Sequence, residues 1–362
     1  MLTHALFFVL GLVALIAGAE ALVRGASKIA LSLGISPLVV GLTIVAVGTS
    51  SPEVAVSVGA VLNGSTDIAV GNVVGSNIFN VLFILGVSAL IAPLVVHSQL
   101  IRQEVPIMIG ASLLLVVTIL DGRLGRLDSL LLVVLLAGYM AFLVLQSRAE
   151  SAEIRDEYAE SVSRRGEWDS HWAVQALLIL VGLGLLVLGS GWLVDSSVAF
   201  ARALGVSDLI IGLTIIAAGT SMPELAASIM AAVRGERDIA VGNVIGSSTF
   251  NILGCLGISG LVSRDGLSIA PAVLNFDLWV MVAVAVACLP VFIVGREIGR
   301  RKGLLFVAYY VAYVAYLILG AQDHDALDEY SAIMIGFVLP ITIVTLVAML
   351  IRNQAGHGGS SG

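Results

Sequence analysis

Residues 41–86 read GLTIVAVGTSSPEVAVSVGAVLNGSTDIAVGNVVGSNIFNVLFILG, and residues 212–257 read GLTIIAAGTSMPELAASIMAAVRGERDIAVGNVIGSSTFNILGCLG. The second stretch follows the first at an offset of 171, needs no gap, and matches it at 28 of 46 positions. Self-similarity of this kind means that the chain holds two copies of one unit. Each copy sets one glutamate, Glu53 or Glu224, in an apolar run beside glycine, proline and small hydroxyl residues. A carboxylate at membrane depth is costly and by default marks a functional site.

Composition supports a membrane setting. Of 362 residues, 59% are hydrophobic and 12% charged, against about 25% charged in soluble domains. Mean hydropathy is +1.06, too high for a soluble α/β core. The net charge of −7 sits mostly in loops and points to no nucleic-acid partner. Cys255 and Cys288 lie in apolar runs, so no disulfide framework is expected. The first apolar run lacks a basic leader and enters a repeat unit, unlike a cleaved signal peptide.

A helix crosses the bilayer with about 20 apolar residues. Eleven such segments are expected, near 5–23, 37–62, 68–91, 105–120, 128–146, 172–194, 208–233, 239–262, 277–295, 303–320 and 331–351. The runs are long, unalternating and rich in Leu, Ala and Val, which excludes membrane strands. With the N-terminus outside, the cytoplasmic loops hold 14 of the 18 basic residues and the outer loops hold 4. The positive-inside rule therefore places the N-terminus outside and the C-terminus in the cytoplasm, in a multi-pass protein of the plasma (inner) membrane.

Five helices per copy is an odd number, so the second copy enters from the opposite side. The expected fold is an all-α, inverted-topology 5+5 repeat with one extra C-terminal helix, a plan whose site lies at the midplane between repeats. The boundaries are a first repeat at 1–146, a cytoplasmic linker at 147–170, a second repeat at 171–321, an extra helix at 322–353 and a flexible tail at 354–362. The linker carries four arginines and seven acids and is too short to fold alone.

Gly48 and Pro52 lie in the middle of an apolar span. Proline has no N–H and biases its predecessor away from the helix. The second helix should therefore kink or break between Val47 and Glu53, and the seventh between Ala218 and Glu224. Irregular backbone at this depth must be buried or face a polar cavity. Carbonyls around Ala46, Thr49, Ala217 and Thr220 become candidate cation ligands, joined by the hydroxyls of Thr49, Ser50, Thr220 and Ser221. Pro52 suits the first turn of the second half-helix, where the helix dipole favours an ionised Glu53. Asn72, Ser76 and Asn80 share one face of the third helix, and Asn243, Ser247 and Asn251 share one face of the eighth. All are hard oxygen donors, suited to Ca²⁺, Na⁺, Mg²⁺ or Mn²⁺ rather than zinc or copper. Gly71, Gly75, Gly242 and Gly246, with Ser57 and Ser228, read as packing devices. Glu20, Glu104, Asp195 and Asp277 sit near helix ends and are expected to face the interface.

At GTSSPE and GTSMPE, followed by GNVVGSNIFN and GNVIGSSTFN, the sequence resembles the cation/calcium exchanger superfamily, and within it the prokaryotic sodium/calcium exchangers. The resemblance covers both repeats. It implies ten helices that form the exchanger, with helices 1 and 6 sliding against a core of eight. It implies a Ca²⁺ site between Glu53 and Glu224 with the carbonyls of Thr49 and Thr220. It also implies Na⁺ sites from the Ala46 and Ala217 carbonyls, Ser50, Ser221, Ser76, Ser247, Asn80, Asn251 and the same glutamates. Some members carry Asp at the position of Asn251. Here both repeats have Asn, so the pocket holds at most two negative charges. Ser248 replaces the counterpart of Asn77. Glu224 is retained where potassium-dependent members alter the acid.

The expected function is antiport of Na⁺ against Ca²⁺ by alternating access, electrogenic and directed to Ca²⁺ extrusion. No cofactor, enzymatic activity or obligate protein partner is expected beyond the ions and the lipid bilayer. A proton/Ca²⁺ exchanger of the same superfamily is the nearest alternative, then a potassium-dependent exchanger and a cation channel. An intramembrane hydrolase would need an HExxH or GxGD motif, and neither is present.

Overall fold

The computed structural model describes residues 1–161, 171–322 and 324–358. Among the described residues ten helices are long and apolar enough to span a membrane, and an eleventh is interrupted at mid-length. In chain order they are α1 (Leu2–Leu33), α2 (Pro37–Leu62), α3 (Thr66–Ile91), α4 (Leu100–Thr118) and α5 (Arg126–Ser161). The second set is α6 (Trp172–Ala203), α7 (208–219 and Met222–Arg234), α8 (Arg237–Val262), α9 (Val273–Arg296) and α10 (Arg300–Ala321). The extra helix α11 follows from Ala326. Linker residues 162–170, Asp323 and tail residues 359–362 lie outside the described residues.

Burial orders these helices from centre to rim. The membrane windows of α3 and α8 are 72% and 89% buried, whereas those of α10 and α11 are 6% and 0% buried. The polar residues of the repeats therefore sit at the centre. Side-chain hydrogen bonds fasten α11 to α10: Tyr330 donates to the Ala312 carbonyl at 2.8 Å, and Tyr309 meets Thr342.

Helices α1 and α6 each have 32 residues, about 48 Å at 1.5 Å per residue. That exceeds a bilayer core of about 30 Å, so both must tilt. They pack antiparallel along a seam of glycines spaced seven apart: Gly11, Gly18 and Gly25 on α1, Gly182 and Gly189 on α6. A Cβ on Gly182 would lie 2.6 Å from the Leu22 nitrogen and 2.8 Å from the Gly18 oxygen. Only glycine permits backbones this close, and such contact drives helix association in lipid. Gln175 closes one end by donating to Ser32 at 2.8 Å.

Short strand pairs tie the repeats together at the loops. Strand β1 (Leu94–Val95) pairs antiparallel with β4 (Glu297–Ile298), and β2 (Arg123–Leu124) with β3 (Leu267–Ser268). Each pair joins one loop of each repeat. Several helices carry π-helical turns that also come in pairs: Gly41–Val45 and Gly212–Ile216, Phe79–Ile84 and Asn251–Leu256, Leu100–Glu104 and Val273–Asp277. The prolines account for a break between Val47 and Glu53 and between Ala218 and Glu224, but no residue pattern marks these wider turns, which recur at functional sites.

Candidate cation site

Both signature hexapeptides break their helices at the serine. Ser50 has φ −80° and ψ 5°, Ser221 φ −89° and ψ 10°, and each is followed by a half-helix with proline in its first turn. Glu53 and Glu224 fall in those first turns, where exposed N–H groups and the helix dipole favour a carboxylate. Proline's missing N–H frees the carbonyl four residues earlier, that of Gly48 or Gly219. Ser51 donates to the Gly48 carbonyl at 2.7 Å. Met222 stands at the equivalent position in the second repeat, and Ser190 of α6 donates to the Gly219 carbonyl instead, also at 2.7 Å. The Ala46 carbonyl accepts from the Ser50 N–H at 3.0 Å, and the Thr49 and Ser247 hydroxyls each lie 3.4 Å from it, so it is not wholly free.

The two repeats meet by crossing over. Ser221 donates to Glu53 Oε1 at 2.8 Å, and Ser50 donates to Glu224 Oε1 at 2.9 Å. Both glutamates are fully buried. A second crossed pair lies beside the first: Thr49 donates to Asn243 Oδ1 at 3.1 Å, and Thr220 to Asn72 Oδ1 at 3.4 Å. The Asn72 amide nitrogen bonds Ser57 at 3.1 Å and the Glu53 carbonyl at 3.4 Å. Asn243 does the same to Ser228 at 2.9 Å and the Glu224 carbonyl at 3.3 Å. Asn72, Asn243, Ser57 and Ser228 thus brace the broken helices. The two serines are more than packing devices, and the signal for that was their match across the repeats.

Several buried polar atoms have no protein partner among the described residues: Oε2 of Glu53, Oε2 of Glu224, the Ser76 hydroxyl, both ends of the Asn80 amide and Oδ1 of Asn251. A buried polar atom without a partner is rare and needs an explanation. Here nearly all are oxygens, drawn from both repeats around two carboxylates. The donor set fits a hard cation as substrate. The structure brings Glu53, Glu224, Ser50, Ser221, Thr49 and Thr220 into one hydrogen-bonded cluster at the repeat interface. Ser247 lies 3.4 Å from the Ala46 carbonyl, whereas Ser76 makes no matching contact with Ala217.

That last difference belongs to a wider asymmetry. The first half of α2 packs tightly on α8: a Cβ on Gly246 would lie 2.7 Å from Leu42 Cα, and one on Gly242 would lie 2.9 Å from the Leu38 oxygen. In the equivalent contact of α7 with α3, a Cβ on Gly71, Gly75 or Gly212 meets nothing within 4 Å. Ala217 is exposed where Ala46 is buried, and Ile216 is 50% exposed where Val45 is 0%. The first half of α7 stands off α3.

Two acids outside the cluster depart from the expected interfacial placement. Glu104 is fully buried and accepts from Tyr139 at 2.7 Å and Gln99 at 3.2 Å. Asp277 is half-buried and accepts from Tyr313 at 2.8 Å. In each case a tyrosine distant in sequence draws the acid inward. Glu20 stays partly exposed, paired with Arg234 at the end of α7, as expected. Asp195 is exposed as expected.

The family model for the sodium/calcium exchanger protein matches residues 3–145 and 174–319, which takes in both repeats. The chain belongs to the sodium/calcium exchanger family. It is accordingly an antiporter of that superfamily and a multi-pass integral membrane protein. Its relatives are transporters. The sodium/calcium exchanger MaX1 of Methanosarcina acetivorans is 34% identical over 343 residues, 86% of this chain and 97% of that protein. The inner membrane protein YrbG of Escherichia coli is 35% identical, over 88% of this chain and 97% of that protein. The solved structure of the sodium-calcium exchanger NCX_Mj, soaked with Na⁺ and Ca²⁺, superposes with a TM-score of 0.74 at 30% identity. It covers 87% of this chain and 98% of that one. The 5+5 architecture and the resemblance read from the hexapeptides hold.

Proposed function

We propose that this exchanger moves Ca²⁺ out of the cell against entering Na⁺, by alternating access and with net movement of charge. The observation that carries the reading is the crossed pair of glutamates. Each is held through one oxygen by a serine of the other repeat and keeps its second oxygen for a substrate. Two carboxylates balance one Ca²⁺. Na⁺ competes for the same oxygens, with Asn80, Asn251, Ser76, Ser247 and the Ala46, Ala217, Thr49 and Thr220 carbonyls completing its shells. With Asn251 in place of an aspartate the pocket stays at two charges, so three Na⁺ leave an excess of one. An empty, doubly charged pocket resists switching sides, which enforces exchange over leak.

The N-terminus is outside and the C-terminus cytoplasmic in this account, in keeping with the basic residues of the loops. The loosened contact of α7 with α3 then lies toward the outside, and the conformer is outward-facing with the cluster occluded. The names carried by MaX1 and NCX_Mj favour Na⁺ as the coupling ion. Ca²⁺ flux into proteoliposomes under an imposed Na⁺ gradient, compared with a pH gradient, tests this. Flux driven by Na⁺ is expected. Flux driven by pH alone would make the chain a proton exchanger. Flux that needs neither gradient would make it a channel.

A further inference from the structure

The cluster holds one amide whose direction is fixed by its neighbours, and its mate in the other repeat is not so fixed. Asn77 of α3 and Ser248 of α8 are equivalent positions, 171 apart, and they touch: the Asn77 amide nitrogen donates to the Ser248 carbonyl at 3.0 Å. They therefore sit where the pseudo-two-fold axis passes. A backbone carbonyl only accepts, so the nitrogen end of Asn77 must face it, and Met281 sulfur lies 3.7 Å from the same nitrogen. The oxygen end of Asn77 then faces Asn251 and can only accept. Asn251 must present its nitrogen there, at 3.3 Å. Its Oδ1 is left pointing away, buried and without a protein partner. Amide orientation follows from the network, one acceptor fixing the next.

The first repeat lacks this device. Asn80 is the mate of Asn251, but the mate of Asn77 is Ser248, whose hydroxyl is spent on the Val244 carbonyl at 2.8 Å. Both ends of the Asn80 amide are buried without a partner, so nothing sets its direction.

We propose that Asn77 is a positioning residue that commits Asn251 to offer oxygen, not nitrogen, to a bound cation, making the two halves of the pocket unequal. The proposal rests on the reading of the cluster as a cation site. A flipped Asn251 would aim an N–H at a cation, so the flipped fraction does not bind. Removing Asn77 makes the two orientations comparable, and apparent affinity falls with the competent fraction, about two- to fivefold. Turnover at saturating ion stays the same, because binding selects the competent orientation.

The test is a double-mutant cycle on the full-length protein, with Ca²⁺ alone and Na⁺ alone titrated by calorimetry. Asn77→Ser should weaken binding about two- to fivefold. In an Asn251→Asp background the same change should cost nothing, because a carboxylate has oxygen at both ends and needs no orienting. The swap Asn77→Ser with Ser248→Asn should restore affinity by orienting Asn80 instead, and it carries the test if the single serine variant fails to fold. Equal losses in the wild-type and Asn251→Asp backgrounds, or a swap no better than Asn77→Ser, would overturn the proposal. A wild-type chain that binds neither cation would overturn the cation-site reading itself, and the proposal with it.

Discussion

Gly75 and Gly246 occupy equivalent positions in the two repeats, and the same substitution should push the protein in opposite directions. A Cβ on Gly246 would sit 2.7 Å from both Cα and O of Leu42, where ordinary contact begins at 3.4 Å. These are backbone atoms, so α8 and α2 must part by about 0.7 Å (the difference between the two). Overpacking of this kind costs about 1–3 kcal/mol, or about 5- to 150-fold in the ratio of two conformers. A Cβ on Gly75 meets nothing within 4 Å. If the opposite conformer exchanges the roles of the repeats, Gly75 takes the tight contact there. Gly246→Ala should therefore depopulate the present conformer, and Gly75→Ala should trap it. Any gain in helix propensity is common to both and cancels. Cysteines at Ile216 and Val45, 50% and 0% exposed, report the conformer through their labelling rates. Cys255 and Cys288 are buried and give little background. Gly246→Ala should slow labelling at 216 and speed it at 45, and Gly75→Ala should hold labelling at 216 high while stopping transport. Identical responses to the two alanines would refute exchange of roles between the repeats.

Other consequences can be measured directly. Glu53→Gln keeps an oxygen for Ser221, so thermal stability without ions should change little, but bound Ca²⁺ loses one of its two balancing charges, and an uncompensated buried charge costs about 3–5 kcal/mol. Ca²⁺ affinity by calorimetry should fall about a hundredfold or more, and Glu224→Gln should match it. Ser50→Ala and Ser221→Ala each remove the serine hydroxyl that a buried carboxylate accepts from across the repeats. Each should lower unfolding free energy without divalent ions by about 1.5–3 kcal/mol, equally for the two repeats. Gly182→Ala forces the α1–α6 seam apart and should lower the melting temperature in detergent, whereas Gly184→Ala, with nothing within 4 Å of its Cβ, should leave it unchanged or raised.

The two glutamates, the breaks beside Pro52 and Pro223, and the inverted plan were legible because each is a pattern along one dimension: a repeat, a breaker, an odd helix count. What the line of sequence hid was pairing across the repeats. Ser50 and Ser221 were candidates as ligands, yet nothing in their spacing assigns each to the glutamate 174 or 168 residues away. Glu104 looked interfacial because its partner Tyr139 comes 35 residues later on the next helix. The α1–α6 seam was present as glycines seven apart, with Gly11 and Gly18 matching Gly182 and Gly189 at the same offset of 171, but their spacing alone does not say that the two helices pack on each other. The difference between α2–α8 and α7–α3 is a property of a conformer. Two similar sequences adopt it unequally, so no reading of either repeat alone could give it.

In the proposed cycle Ca²⁺ and Na⁺ share one pocket, closed by Glu53 and Glu224. Calorimetric titration of Ca²⁺ into the purified protein at stepped Na⁺ concentrations measures that sharing. One Ca²⁺ per chain is expected, with an apparent dissociation constant that rises more steeply than linearly with Na⁺. A Ca²⁺ affinity indifferent to Na⁺, or more than one Ca²⁺ bound per chain, would contradict it.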